Sequence, residues 1–156
     1  MEALQEFTVS LPPLVQWLGV MIIAAIPFVE SYFGSVIGVL AGVPPVVAIV
    51  AAIAGNVVSM LVFVFVAAGV RSKVVAGRDE PESSPRRQRL RRAFERWGVP
   101  GVSLLGQWLL PSQFTATAMI SFGAPRNWVI LWQSISIALW GIAFGVLAAL
   151  GLMLLG

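Results

Sequence analysis

The sequence predicts an all-α integral membrane protein with a single membrane domain. Hydrophobic residues make up 58% of the 156 positions and charged residues only 11%, whereas roughly a quarter of an ordinary soluble domain is charged. The apolar residues form four long stretches, 11–42, 44–70, 98–123 and 127–156, which one basic segment divides into two pairs. At least two of these stretches exceed the roughly 20 residues that a spanning helix needs.

The composition also limits the chemistry. Cysteine and histidine are both absent, which removes disulfides, thiol nucleophiles, imidazole bases and almost every zinc site. We therefore expect no enzyme, no metal and no cofactor. The first residues carry Glu2 and Glu6 but no lysine or arginine. They lack the positive region of a signal peptide, so the first apolar stretch is expected to stay in the mature protein.

Stretch 11–42 is broken at its centre, where Pro27 is followed by Glu30, Ser31 and Tyr32. The apolar arm on either side of this break is shorter than the roughly 17 residues that cross a bilayer. The pattern therefore predicts a re-entrant helical hairpin. The second arm also carries glycines at the four-residue spacing typical of helix contacts, namely Gly34, Gly38 and Gly42.

Stretch 44–70 has no proline beyond its first two residues and is long enough to cross the membrane as a tilted helix. Its amide residue, Asn56, follows Gly55. Asn56 either belongs to a binding site or forms a packing hydrogen bond in a seam of small residues.

Basic segment 71–97 holds nine of the ten basic residues against four acids, a net charge of 9 − 4 = +5. Positive-inside bias places this segment in the cytoplasm. Its first part, from Gly77, is predicted to be a loop. A helix is predicted to follow, with Ser84 as N-cap, Pro85 at its first position and Gly98 at its end.

The predicted basic helix is amphipathic, because Leu90, Ala93, Phe94 and Trp97 recur at the spacing of one helix face. Such a helix lies on anionic lipid, with its tryptophan at headgroup depth. A basic run could also bind nucleic acid, but its place between membrane segments favours lipid, and most of its arginines are topology signal. The residues assigned to the lipid surface are Arg86, Arg87, Arg89, Arg91, Arg92, Arg96 and Trp97.

The second half of the chain repeats the order of the first. In stretch 98–123, Pro111 breaks the apolar run between Gln107 and Gln113, which predicts a second re-entrant hairpin. Stretch 127–156 is predicted to be the second spanning helix. Because the chain crosses once between corresponding points, the halves would be inverted repeats, as in secondary transporters. Chance or ordinary turn chemistry is the alternative explanation.

Two segments resemble known families. The segment from Ile26 to Asn56, with the pattern I-P-x-x-E, a Gly-Val-Pro-Pro turn and a Gly-Asn pair, resembles the small multi-drug export protein family. The segment FERWGVPGVSLLGQWLLPSQF, followed by a turn at Gly123 and by Trp140, resembles the second half of the wider DedA membrane-protein superfamily. Together the two resemblances cover about Ile22 to Leu150.

The resemblance implies two re-entrant hairpins that meet at mid-membrane, and transport or lipid translocation in place of catalysis. The chain departs from DedA proteins at one point. Those proteins carry two arginines around the proline of the second hairpin, where this chain has Gln107 and Gln113. This departure weakens the expectation of an anionic substrate, including a phospholipid headgroup.

Glu30 is the predicted centre of function. A charged carboxylate near the bilayer centre costs about 2.5 to 3.5 kcal/mol, and neither predicted hairpin contains a lysine or arginine. We therefore expect Glu30 to hold a proton, or to exchange it near neutral pH. Competition between the proton and a cationic substrate would couple their movements. A shallow hairpin would instead leave Glu30 solvated at the interface.

The predicted binding site joins Glu30 to polar groups of both hairpins. Pro27 and Pro111 free backbone carbonyls where they break the helices. Gln107 and Gln113 either contact substrate or satisfy this freed backbone. The residues assigned to substrate or proton binding are Glu30, Ser31, Tyr32, Asn56, Gln107 and Gln113.

The sequence thus predicts a small secondary transporter of the plasma (inner) membrane that exports lipophilic or cationic compounds in exchange for protons. It is expected to act as a homodimer and to contact membrane lipids but no nucleic acid. A DedA-like lipid translocase or scramblase is the alternative function, and a non-transporting membrane scaffold is a third. Four plain spanning helices, as in the small multidrug resistance family, are the alternative architecture.

Overall fold

A computed structural model describes residues 1–74 and 85–155, with the backbone alone for 67–74. The predicted loop from Gly77 and the predicted cap Ser84 lie outside the described residues. Within the described residues the chain is helical and has no strand, which confirms the all-α class. The helices are α1 Glu2–Ser10, α2 Gln16–Ala24, α3 Glu30–Leu40, α4 Pro45–Val74, α5 Pro85–Leu105, α6 Ser112–Ser121 and α7 Arg126–Leu155.

Two of the described helices are long and apolar enough to cross a membrane. They are the first 22 residues of α4, Pro45–Val66, and the 30 residues of α7. A third span would exist if α1 and Pro13–Ala24 were counted as one, but these segments are bent by 118° relative to each other. Length and composition therefore mark the chain as a helical membrane protein, and α4 and α7 coincide with the predicted spanning stretches.

The chain divides into two compact units. Unit 1 comprises Met1–Ser59 and Ile137–Gly156, and unit 2 comprises Met60–Ser136. Each unit therefore contains one part of α4 and one part of α7. The two predicted hairpins fall in different units, the first in unit 1 and the second in unit 2.

In unit 1, α2 and α3 pack against each other as a helical hairpin. A Cβ atom added to Gly34 would lie 2.6 Å from the Cβ of Ala24, and one added to Gly38 would lie 2.8 Å from the side chain of Val20. These pairs show that the helices run antiparallel and approach closely. The predicted glycine contacts are thus confirmed at Gly34 and Gly38. Gly42 makes no such contact; its φ of +86° places it in the turn after α3, where the Gly-Val-Pro-Pro turn was predicted.

The parts of α4 and α7 in unit 1 pack on the same hairpin. A Cβ atom at Gly141 of α7 would lie 2.9 Å from the side chain of Ile53 and 3.1 Å from that of Ser31. One helical turn later, Gly145 meets Ile49 and Ser35 in the same way. Small residues therefore allow α3, α4 and α7 to approach closely, as is common for helices in membranes.

In unit 2, α5 is kinked at Gly98, whose φ of +65° and ψ of −168° are not helical. The predicted end of the basic helix at Gly98 is therefore confirmed as a kink. Leu90 is fully buried, and its side chain lies 3.5 Å from the position of a Cβ atom at Gly106. These residues would be about 24 Å apart along a straight helix, so the kink folds the two parts of α5 back on each other.

The second helices of the two hairpins, α3 and α6, end in the same hydrogen-bonded turn. The amide of Val43 donates to the carbonyl of Gly38 (3.0 Å), and the amide of Ala124 donates to the carbonyl of Met119 (3.1 Å). The glycine before each donor has a positive φ, +86° and +101° respectively. Both turns are Schellman motifs, and each leads through proline into one of the two long helices.

Candidate functional site

The break between α2 and α3 is confirmed at the predicted proline, because α2 ends at Ala24 and α3 begins at Glu30. Two residues without glycine's freedom have positive φ in this break, Phe28 at +75° and Glu30 at +55°. A residue with a Cβ atom pays about 1–2 kcal/mol for this conformation. Such strain persists only where the surrounding structure imposes it, and it concentrates at functional sites.

Glu30 is enclosed by protein at this strained break. The exposed fraction of Glu30 is 0%, and Ser31 and Asn56 are buried to the same extent. Fully buried glutamates are rare in proteins unless they are paired. The carboxyl group is therefore shielded from solvent. The site hypothesis requires this burial, whereas a shallow hairpin would leave Glu30 solvated.

Helix α4 packs directly on the broken end of α2. The hydroxyl of Ser59 donates a 2.7 Å hydrogen bond to the carbonyl oxygen of Ala25. One turn earlier, Gly55 lies against the carbonyl of Met21 so closely that a Cβ atom would overlap it. Asn56 lies between these two contacts in the chain. Asn56 therefore belongs to the segment of α4 that packs against the hairpin break.

Ser31 is used for helix packing. Its hydroxyl donates a 2.7 Å hydrogen bond to the carbonyl of Ile137 in α7, and its own carbonyl accepts one of 2.7 Å from Ser35. These bonds fix α3 against α7 in unit 1. A contact between Ser31 and substrate stays a prediction.

Tyr32 belongs to a group of aromatic rings in unit 1. Its ring centroid lies 4.7 Å from that of Phe33 and 5.6 Å from that of Phe144. Phe144 in turn lies 6.0 Å from Trp140. Aromatic faces attract cations, and this group of Tyr32, Phe33, Trp140 and Phe144 begins two residues after Glu30.

The other two predicted site residues, Gln107 and Gln113, lie in unit 2 and are buried. The break at Pro111 is confirmed, since α6 begins at Ser112. However, the amide nitrogen of Gln107 donates to the hydroxyl of Ser136. The carbonyl of Leu110, which precedes the proline, accepts a 3.0 Å bond from Thr115. The prediction that Gln107 satisfies freed backbone was therefore wrong for the Leu110 carbonyl, because Thr115 supplies its donor.

The basic helix packs partly within unit 2. The Arg87 guanidinium donates a 3.2 Å hydrogen bond to Ser121 and lies 5.8 Å from the ring centroid of Phe122. The ring of Phe94 lies 5.8 Å from the same ring. With Leu90 also buried, part of the apolar face that was assigned to lipid covers protein instead.

Other residues of the basic helix keep the exposure that lipid contact requires. Trp97 is 57% exposed, and the Arg96 guanidinium lies 5.3 Å from its ring centroid. Arg91 pairs with Glu95 at 3.2 Å across an exposed helical turn. Arg86, Arg89 and Arg92 are exposed as well. The lipid-surface assignment stays a prediction for these residues.

Sequence reasoning missed a group of buried polar residues in unit 2. Ser103, Gln133 and Ser136 are all fully buried, yet stretch 127–156 was interpreted only as a spanning helix. The spacing of Gln133 and Ser136, three residues apart in an apolar helix, would have placed them on one face. That pattern was the available signal.

The fold and the site define the class of protein as a helical membrane protein with broken helices and a buried carboxyl group. No family model, no curated protein and no solved structure matches the chain. The resemblance to small multi-drug export and DedA proteins therefore stays a sequence-based hypothesis.

Proposed function

We propose that the protein is a small secondary transporter that exports lipophilic or cationic compounds in exchange for protons. The observation that carries the proposal is the complete burial of Glu30 at the broken tip of a helical hairpin. Ionisable groups inside membrane proteins commonly mark ion and substrate pathways. The strained backbone of Phe28 and Glu30 further supports a functional role for this tip.

The proposed mechanism is competition for one carboxyl group. A carboxylate held away from water favours its neutral form, unless a cation takes the place of the proton. Binding of a proton to Glu30 would therefore release a cationic compound, and loss of the proton would allow the next compound to bind. Because Glu30 is enclosed in this structure, each exchange requires the hairpin tip to open.

The surroundings of Glu30 suit a lipophilic cation. The aromatic group of Tyr32, Phe33, Trp140 and Phe144 offers apolar surface and π faces. The broken backbone around Pro27 offers carbonyl groups, and such backbone is tolerated at membrane depth only where it is buried in protein or lines a cavity. These features favour an organic cation over a small hydrated ion.

In the proposed membrane arrangement, two re-entrant hairpins form inverted repeats. The protein lies in the plasma (inner) membrane, and its basic segment faces the cytoplasm. Helices α2 and α3, of 9 and 11 residues, and α6, of 10 residues, are too short to cross a bilayer. The matching Schellman turns after α3 and α6 support a repeat. This order of broken and continuous helices is typical of secondary transporters.

Topology distinguishes this arrangement from four plain crossings. Two hairpins and two crossings place a reporter fused after Gly156 outside when the basic segment is cytoplasmic. Four crossings place the same reporter inside. A cytoplasmic signal would therefore reject the proposed arrangement.

The proposal includes a homodimer that contacts membrane lipids. Two hairpins and two long helices provide little width to enclose a transport path. Mass measurement of the protein in lipid nanodiscs tests this point, since a monomer that transports would exclude the dimer.

Transport in proteoliposomes tests the proposed function. Ethidium serves as the lipophilic cation, and an imposed pH gradient drives its efflux. We expect Glu30→Gln to abolish gradient-driven efflux, because a neutral amide cannot exchange a proton, while the variant stays folded. The matched control is Glu6→Gln on exposed helix α1, which should transport like the wild type. Unchanged efflux in Glu30→Gln would reject the coupling role.

The same vesicles separate the proposal from the lipid translocase. Labelled phospholipid is followed between leaflets in the absence of a pH gradient. A transporter leaves the label where it was placed. Redistribution that survives Glu30→Gln would support lipid translocation and contradict proton-coupled export.

A further inference from the structure

Unit 2 contains a cluster of four buried polar residues, Ser103, Gln107, Gln133 and Ser136. Gln107 is 9% exposed and the other three are 0% exposed. Ser103 and Gln107 are four residues apart at the end of α5 and the 3₁₀ turn Gly106–Trp108. Gln133 and Ser136 are three residues apart on α7. Both spacings place the paired side chains on one helical face.

Ser136 joins the two sides of this polar cluster. Its hydroxyl donates a 2.7 Å hydrogen bond to the carbonyl of Ser103 and accepts one from the amide nitrogen of Gln107. The hydroxyl of Ser136 therefore acts both as a donor and as an acceptor. This arrangement fixes the glutamine side chain against α7 with its carbonyl oxygen still available.

Four buried atoms of the polar cluster have no hydrogen-bond partner among residues 1–74 and 85–155. They are the hydroxyl oxygen of Ser103, the Oε1 atom of Gln107, and both Oε1 and Nε2 of Gln133. Buried polar atoms are costly when unsatisfied, and most find a partner in protein or ordered water. Four such atoms in one cluster would be satisfied by a bound group that exchanges hydrogen bonds with them.

We infer that the polar cluster is a binding site for a neutral group that both donates and accepts hydrogen bonds. The two glutamine oxygens require a donor, the Gln133 amide nitrogen requires an acceptor, and the Ser103 hydroxyl can act as either. Water meets both requirements, as does the amide or hydroxyl group of a small solute. The shared chemistry is a small uncharged hydrogen-bonding group.

Charge supports a neutral occupant over an ion. The charged side chains described in unit 2 are seven arginines, including Arg126, and Glu95. Their net positive charge disfavours a cation, and the cluster itself holds no carboxylate that would compensate one. An anion would face the carbonyl oxygens of Gln107 and Gln133, which repel it. Burial of an uncompensated ion is far more costly than burial of a neutral polar group.

The site is independent of the proposed transport function, because it involves neither Glu30 nor a pH gradient. Its test therefore uses stability and direct contact in place of efflux. Failure of this inference would leave the role of Glu30 untouched, and failure of proton coupling would leave this site untouched.

Replacement of Gln133 by leucine gives a result whose sign depends on occupancy. If the site is filled, Gln133→Leu removes bonds to the occupant, and we expect the thermal midpoint in nanodiscs to fall by about 3 °C or more. If the site is empty, the same change removes an unsatisfied amide and raises the midpoint. Ser134→Ala, at the next position of α7, is the control and should leave the midpoint nearly unchanged.

Solid-state NMR on the wild-type protein tests occupancy directly, whatever the stability of the leucine variant. Glutamine side chains are isotope-labelled, and the Gln133 signal is assigned with Gln133→Asn. We expect magnetisation to pass from bound water to the Gln133 amide. A solute occupant would show the same transfer from added acetamide. No transfer to this amide from water or from acetamide would overturn the inference.

The effect of acetamide on the thermal midpoint distinguishes a bound solute from bound water. A solute site predicts that acetamide raises the midpoint of the wild type but not that of Gln133→Leu. N,N-dimethylacetamide, which cannot donate, should have no such effect. A water site predicts no effect of either compound, together with transfer from water in the NMR experiment.

Discussion

The hydroxyl of Ser59 donates a 2.7 Å hydrogen bond to the carbonyl oxygen of Ala25. Ala25 is the first residue beyond α2, where the helix breaks before Pro27. The bond therefore supplies a donor from α4 to backbone at the hairpin tip. Through this contact, a spanning helix holds the short hairpin that carries Glu30.

Removal of this hydroxyl should loosen the hairpin tip. We expect Ser59→Ala to lower the free energy of unfolding by about 0.5–1.5 kcal/mol, because a half-buried carbonyl loses its donor. Ser10 makes a bond of the same type and length, 2.7 Å to the carbonyl of Phe7, on the exposed surface of α1. Ser10→Ala is therefore the control, with an expected change within about 0.5 kcal/mol. Equal losses for both variants in thermal unfolding would contradict the role of Ser59.

Phe28 should be a position where glycine stabilises the protein. Its φ is +75° and its side chain is 61% exposed, so Phe28→Gly relieves strain at little cost in packing. We expect a gain of about 1 kcal/mol in unfolding free energy. The control is Phe33→Gly inside α3, which should lose about 0.5 kcal/mol from helix propensity and more from the lost contact with the Tyr32 ring. A loss at both positions would show that Phe28 is not strained.

Gly55 should tolerate no side chain. A Cβ atom there would overlap the carbonyl oxygen of Met21, so Gly55→Ala must displace α4 from the hairpin. We expect a loss of about 1–3 kcal/mol, the usual cost of overpacking. Gly151 of α7 has nothing within 4 Å of its added Cβ atom, and Gly151→Ala should stabilise by up to about 1 kcal/mol. In denaturant unfolding, we expect the free energy of unfolding to fall for Gly55→Ala and to rise for Gly151→Ala.

The sequence predicts those parts of the fold that depend on proline, glycine and long apolar runs. The breaks at Pro27 and Pro111 follow from the missing amide and the steric clash of proline. The spanning helices α4 and α7 follow from their uninterrupted apolar length. Each of these features depends on local chemistry, which one sequence carries in full.

Other features depend on tertiary contacts and were missed. Nothing in the residue type of Phe28 indicates a positive φ, since glycine and asparagine are the usual signals. Helix α1 was also missed. One of the contacts that hold it is tertiary, since Gln5 donates to the carbonyl of Leu40 at the end of α3. The spacing of Gly42 matches that of Gly34 and Gly38 and predicts a helix contact, but the structure agrees only with its place in the Gly-Val-Pro-Pro turn.

Sequence reasoning identified residues that the structure buries where a polar residue stands out from an apolar run. Glu30 and Asn56 were identified in this way, and the structure buries both. Gln133 and Ser136 stand out equally in α7, yet Ser103, which Ser136 contacts, lies far away in the sequence. Which helices meet in space is a property of the fold, so this polar cluster required the structure.

The central proposal is that the Glu30 carboxyl group is withdrawn from bulk water and binds the exchanged proton. Carbodiimide labelling of the protein in lipid vesicles, read by mass spectrometry, tests it most directly. A lipid-soluble carbodiimide reacts with neutral carboxyl groups in apolar surroundings. We predict that it modifies Glu30 and that excess ethidium slows this reaction, whereas a water-soluble carbodiimide modifies Glu6 and leaves Glu30 intact. Modification of Glu30 by the water-soluble reagent as fast as Glu6 would contradict the account.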